Sequence, residues 1–367
     1  MKFLKDRRFW FYVRRAVWIF ITWVVISNFI FFYDYITLVS QNALGADYDF
    51  TSSFTAYLLV SVCASFIGGV FSVNLMEYWL RKYAMWKALL LIIVVYTLVA
   101  IFVGSIGSLY INSENMELPM FHPDVMEELP FFYGKAIFIK NYFVWLFIVL
   151  STLILALVND KYGPGVFPDY LMGRYFKPKK ERRIFMFADI KNATGIAETL
   201  GEEKYFNFLK DFFKDVAPAI VQTRGEIYQY VGDEIVVSWK MKWGLKNANA
   251  LQCFYSMQAL IAKNSDRYLK KYNLIPKFKV GYHFGSVMVG EIGQVKREIA
   301  FSGDVLNTTA RIVALCNDLG VEILASKEFA DVAYELPEGV SIEEVGMEEL
   351  RGKVKKMALV TYNRNGI

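Results

Sequence analysis

Histidine is nearly missing from this chain: 367 residues contain only His122 and His283. A haem or metal centre built on several imidazoles is therefore excluded. Cysteine is almost as scarce, with Cys63, Cys253 and Cys316 and no C-x-x-C pair. That spacing excludes a zinc ribbon and argues against a disulfide framework. Two of the three cysteines fall in the polar half, as suits a reducing cytosol. Net charge is also modest, at +5, and implies no nucleic-acid partner. Apolar residues are in excess instead. They make up 55% of the chain without glycine, against about 45–50% with glycine in soluble domains.

The excess lies in the first half. Four apolar runs, at 16–39, 54–76, 88–110 and 142–158, approach the ~20 residues a helix needs to span a bilayer. The first is long, rich in Trp and Phe and without a small-residue cleavage site, so it reads as a retained span. Basic residues crowd the amino terminus (Lys2, Lys5, Arg7, Arg8, Arg14, Arg15), the second connection (Arg81, Lys82, Lys87) and the stretch after the fourth run. The first and third connections are acidic, with Asp47, Asp49, Glu114, Glu117, Asp124, Glu127 and Glu128. The alternation places both termini in the cytoplasm. Lys135 and Lys140 fall on the acidic side and are expected to be interfacial or to snorkel.

Small residues recur at fourfold spacing in the second run: Ser61, Ser65 and Gly69, then Ala64, Gly68 and Ser72. Such a stripe suits either a dimer seam or packing within one bundle, and both readings stand at this stage. His122 is expected in an exposed loop. The segment 161–181 reads as a connector marked by Gly and Pro. The basic cluster at its end suits anionic lipid or a plain topology signal. The organisation expected is a four-helix membrane anchor over 1–160, this connector, and a polar domain over 182–367.

The polar half changes period. "RIFMFADI" is an apolar strand ending in Asp189, and "EIYQYVGDEIVVSW" is a hairpin with Gly232, Asp233 and Glu234 at its tip. The residues between them are helical, with a break near Gly201. A helix is expected at about 246–265, two strands around Gly285, and a helix from Asp304 to a Gly320 cap. Strands and helices interleave, which indicates an α+β domain with a mixed, mainly antiparallel sheet and helices on one face. If the first strand lies beside the hairpin, Asp189 and Asp233 converge. Two hard carboxylates suit Mg²⁺ or Mn²⁺, which keep waters and accept substrate phosphates.

Four motifs then carry a resemblance: "FADIKNAT" at 187–194, "YVGDEIVVSW" at 230–239, "GDVLNTTARI" at 303–312 and "LRGK" at 350–353. In this order and spacing the region 182–362 resembles the class III nucleotide cyclases, most of all a bacterial, membrane-anchored branch. The resemblance implies a ferredoxin-like palm that acts as a homodimer, its sites completed across two chains. It implies two Mg²⁺ or Mn²⁺ ions per site, held by Asp189, Asp233 and the carbonyl of Ile190. Asn307 would orient the ribose, Arg311 would meet phosphate charge and Lys353 would hold the triphosphate.

The base-selecting positions depart from the family pattern. A lysine is usual where Gln229 stands, and an aspartate or threonine where Ala300 stands. Neither is the glutamate expected for guanine, so ATP is the expected substrate, with GTP the alternative. A diguanylate cyclase is disfavoured by Val231 and by the "NTTAR" helix. A non-catalytic signalling module would have no use for all five of Asp189, Asp233, Asn307, Arg311 and Lys353. A transporter is disfavoured by the scarcity of polar residues in the spans, where Asn28, Asn74 and Glu77 are the main ones. The membrane half is also expected to receive an upstream signal and to touch lipid.

Overall fold

The computed structural model describes residues 7–45, 48–74, 85–162, 172–295, 297–350 and 356–364. The chain divides into two compact units, Met1–Lys161 and Tyr162–Ile367. Lys353 and residues 163–171 of the expected connector lie outside the described residues.

The first unit holds four long helices: α1 (Arg7–Ser40), α2 (Phe50–Asn74), α3 (Met85–Met116) and α6 (Ala136–Tyr162). Two short turns of helix, α4 (Pro123–Glu127) and α5 (Leu129–Phe132), come before α6. All four long helices are long and apolar enough to cross a membrane. Phe29, Phe66, Leu98 and Phe147 are exposed on their outer faces, as expected of helices whose surroundings are apolar. Trp23, Ile92, Tyr96, Ile148, Val149 and Leu153 form the inner core.

The small-residue stripe of α2 packs within the bundle. Ser61 and Ser65 are fully buried. A Cβ on Gly68 would lie 2.1 Å from the Trp23 ring, and one on Gly69 would lie 3.1 Å from the Ala16 carbonyl. His122 caps α4, its Nδ1 accepting from the Asp124 N–H at 3.4 Å. α6 starts six residues before the expected run, so Lys140 lies inside it, and its ammonium pairs with Asp34 of α1. Asp34 is thus a charged residue within the first span, beyond the polar residues expected there.

The second unit is an eight-stranded mixed sheet in the order β2-β3-β1-β4-β6-β8-β7, with β5 beside β4. The strands are β1 (Lys179–Ile190), β2 (Glu226–Val231), β3 (Glu234–Lys240), β4 (Phe278–Ile292), β5 (Glu298–Ser302), β6 (Ile323–Ser326), β7 (Val340–Glu348) and β8 (Met357–Arg364). All pairings are antiparallel except β4 with β6.

Alternation along β1 assigns the two faces. Ile184, Met186, Ala188 and Ile190 join the main core. That core is covered by α8 (Glu202–Gln222), α9 (Met241–Leu245), α10 (Asn249–Lys263), α11 (Ser265–Tyr272) and α13 (Lys327–Val332). The expected break is real: α7 (Ala193–Leu200) precedes α8, and Gly201 between them has φ +73°. Phe185 and Phe187 face the other way, against Val305 and Val313 of α12 (Asp304–Leu315).

Two expectations are corrected here, and the basic cluster is placed. Helices cover both faces, because α12 lies on the side opposite the others. "KFKVGYHFGSVMVGEI" is one continuous strand rather than two around Gly285. Gly285 instead leaves room for Val305, whose Cβ would stand 3.2 Å from a methyl placed there. Finally, β1 begins at Lys179, so the basic cluster runs into the sheet. Arg183 is 1% exposed and bonded to Glu181, Glu226 and Ser238, so it does not face lipid.

Candidate active site

Register places the acidic pair. On β1, Asp189 lies opposite Glu234 of β3 and Lys279 of β4. β2 and β3 are joined by a two-residue turn, Gly232 and Asp233, with Gly232 at φ +61°. Glycine adopts that conformation without the steric cost a Cβ brings. The tight turn holds Asp233 one residue from Glu234, and so beside Asp189.

The electrostatics follow from this proximity. Burial, a hydrogen bond to Asp189 and the charge of Asp189 push the Asp233 carboxyl up to about 6. Burial and then the charges of Asp189 and Asp233 push Glu234 up to about 7. The hydroxyl of Tyr205, on α8, is raised by burial and by the same two aspartates. Lys279 is the counterweight. Its ammonium is almost wholly buried and stands 3.3 Å from Asp189 Oδ2.

Carboxylates crowded so that they resist joint ionisation are relieved by a divalent cation. The donor set fits Mg²⁺ or Mn²⁺: two carboxylates, with the Ile190 main chain next in line. The Ile190 side chain points into the helix-covered core, so only its backbone can serve. Among the described residues no group of three or more His, Cys, Asp or Glu side chains is set to grip a metal. Water and substrate phosphates would complete such a coordination shell.

Asn307 and Arg311 lie one turn apart on α12. Asn307 is exposed and Arg311 half-buried. Neither has an ion pair or side-chain hydrogen bond among the described residues. The helix reaches its position because β4 carries Gly281, where a Cβ would lie 2.6 Å from the Val313 nitrogen and 3.0 Å from the Thr309 carbonyl. Among the described residues no bond joins Asn307 or Arg311 to the acidic pair.

Gln229 is exposed on β2, just after a bulge that leaves Tyr228 unpaired. The Tyr228 ring lies 4.7 Å from that of Phe301 on β5, and its hydroxyl accepts from the Phe301 N–H at 3.3 Å. This contact ties the neighbour of Gln229 to the neighbour of Ala300. The Arg183 guanidinium stacks 4.7 Å from the Phe301 ring and braces the same region. Leu350, at the head of "LRGK", is fully buried.

Sequence reasoning missed Lys279, Tyr205 and the bracing by Arg183, and gave Glu234 no role beyond the hairpin tip. The one local signal was Lys279 itself, a lysine at an apolar position of a central strand. Such a residue needs a buried counter-charge.

A palm of this topology, with carboxylates converging from a central strand and an adjacent hairpin tip, defines a nucleotide-cyclase type of domain. Residues 177–363 match the family model of the adenylate and guanylate cyclase catalytic domain, and the chain belongs to that family. It is 32% identical over 212 residues to adenylate cyclase 2 of Rhizobium meliloti (strain 1021), covering 57% of this chain and 58% of the relative. It is 28% identical over 150 residues to an adenylate cyclase of Anabaena cylindrica, covering 40% of this chain and 30% of the relative. The chain thus spans less than two thirds of the curated relatives it matches. A solved bacterial light-regulated adenylyl cyclase shares the fold, with TM-score 0.50 and 18% identity over 62% of this chain and 66% of that one.

Proposed function

We propose that the protein is a membrane-anchored adenylate cyclase that converts ATP to 3′,5′-cyclic AMP and pyrophosphate. The observation that carries this reading is the meeting of Asp189 and Asp233 at the end of β1, with Lys279 and Glu234 around them. Bound there by Asp189, Asp233 and the Ile190 carbonyl, two Mg²⁺ or Mn²⁺ ions would acidify the ribose 3′-hydroxyl and neutralise phosphate charge. The chain's own residues do the rest. Arg311 offers a planar guanidinium to the charge spread over the α-phosphate and the leaving pyrophosphate. Asn307, one turn earlier, orients the ribose so that its hydroxyl lies in line with the scissile bond. Lys353 holds the triphosphate.

Asn307 and Arg311 have no side-chain partner among the described residues, and the hairpin beside Asp233 exposes Tyr230 and Val231. Both features support a homodimer in which one copy supplies the acidic pair and the other supplies α12. The organisation proposed is an anchor over 1–160, a transducing connector over 161–181 and a catalytic domain over 182–367, with the anchor in a bacterial inner membrane and the catalytic domain cytoplasmic.

GTP is a second reading, carried by Gln229 and Ala300. A site that leaves the polar edge of the base unpaired discriminates weakly. Product formation by the full-length protein in detergent with Mn²⁺, offered ATP or GTP, tests both. Cyclic AMP that is lost in Asp233→Ala supports the reading. Cyclic GMP reverses the substrate assignment, and neither product overturns the enzyme reading.

A further inference from the structure

The helical unit holds a half-open cavity of about 400 Å³, lined mainly by α1, α2, α3 and α6. Its floor is aromatic and fixed. The Trp23 Nε1–H donates to Thr152 Oγ1 at 2.9 Å. The Trp23 ring meets Tyr96 and Trp145 edge-on, at centroid distances of 6.1 and 5.8 Å. Glycine at position 68 lets α2 close against the same ring.

The wall changes character toward the end of the bundle that bears the 41–49 and 117–135 connections. There the lining includes Asp34, Tyr48, Asn112, Lys135 and Asn141. Asp34 is already matched by Lys140. Lys135 and Asn141 have no ion pair or side-chain hydrogen bond among the described residues.

A cavity of this size is in the range that holds drug-sized molecules. A ligand seated there gains dispersion contacts with a mostly apolar wall. A charged head would be desolvated against a mostly apolar lining. The only carboxylate there is paired, and Lys135 disfavours a cation. The exposed Glu114, Glu117, Asp124 and Glu127, in the segment leading to Lys135, disfavour an anion.

We propose that this cavity binds an uncharged amphiphile. Its flat apolar body would rest on Trp23 and Trp145, and its hydrogen-bonding head would meet Asn112 and Asn141. The proposal is independent of the cyclase reading, since it concerns the helical unit alone.

The test uses 1-aminoanthracene, a planar fluorescent probe that is uncharged at neutral pH, titrated into the full-length protein in detergent against protein-free micelles. Saturable binding is expected. It should weaken about tenfold in Ala100→Phe and in Ala64→Phe, as for a steric conflict of ordinary size. It should also weaken in Asn141→Leu, which keeps the test decisive if a filled variant fails to fold. Leu98→Phe, on the exposed outer face, should bind like the wild type. A signal no larger than that of the micelles overturns the proposal, as does equal affinity in the folded filled variants. Loss of saturable binding in phosphatidylcholine nanodiscs also overturns it, by identifying a lipid acyl chain as the occupant.

Discussion

Lys279 Nζ lies 3.3 Å from Asp189 Oδ2, and the two residues are direct partners across β1 and β4. A buried ammonium therefore holds one member of the acidic pair while the other, Asp233, is left to titrate high.

Lys279→Met should unbalance that arrangement. Removing one partner of a buried pair costs about 3 kcal/mol or more, because the remaining charge is left uncompensated. The metal-free catalytic unit should melt lower. Saturating Mn²⁺ should recover more stability in the variant than it adds to the wild type. Thermal unfolding of both proteins with and without Mn²⁺ checks this, and an equal metal-induced shift in the two would contradict it.

Asp233→Asn should separate stability from activity. The Asp233 carboxyl titrates near 6 in the fold against an ordinary 3.8, so the folded state disfavours its ionised form. The cost is absent below 3.8, grows as pH rises and is complete above about 6. Since the side chain is partly exposed, solvent screening reduces it to about 1 kcal/mol. Without metal, the variant should melt about 2–4 °C higher than the wild type at pH 8 and close to it at pH 4. Its cyclase activity should be lost. Melting curves at the two pH values, with product assays, check both halves.

Gly281→Val should act at a distance from the acidic pair. The new side chain meets the α12 backbone at Val313 and Thr309, which cannot swing aside. The helix must shift, and Asn307 and Arg311 shift with it. A displacement of about 1 Å can cost about a hundredfold in rate. The turnover number should fall by that order, while Mn²⁺ still raises the melting temperature of the variant. Loss of the metal effect as well would show that the substitution had disrupted the whole sheet.

These contrasts mark what the sequence could and could not reveal. Asp189 and Asp233 were legible because a carboxylate at a strand end and one at a hairpin tip are local signals. The break at Gly201 was legible for the same reason. Gly285 was misread because glycine more often punctuates a chain than admits a helix. Its role depends on Val305, twenty positions away in sequence. The pairing of Lys279 with Asp189 and the bonds of Arg183 to Glu226 and Ser238 are set by strand order, and no window along the chain contains both partners. Asp34 was overlooked within an apolar run, and its partner Lys140 is 106 residues distant. The choice between a dimer seam and bundle packing for the α2 stripe required Trp23, which lies on another helix.

The most direct test of the account is complementation between two inactive chains. Full-length Asp233→Ala and Arg311→Ala proteins, each inactive alone, are co-expressed with different tags. Mixed dimers are isolated and their cyclic AMP formation from ATP is measured with Mn²⁺. A mixed dimer has one site in which both residues are intact. In the isolated mixed dimers, with one intact site of two, that amounts to about half of wild-type activity. Recovery at that level is the predicted result. Mixed dimers as inactive as either parent would contradict the claim that one copy's acidic pair works with the other copy's α12.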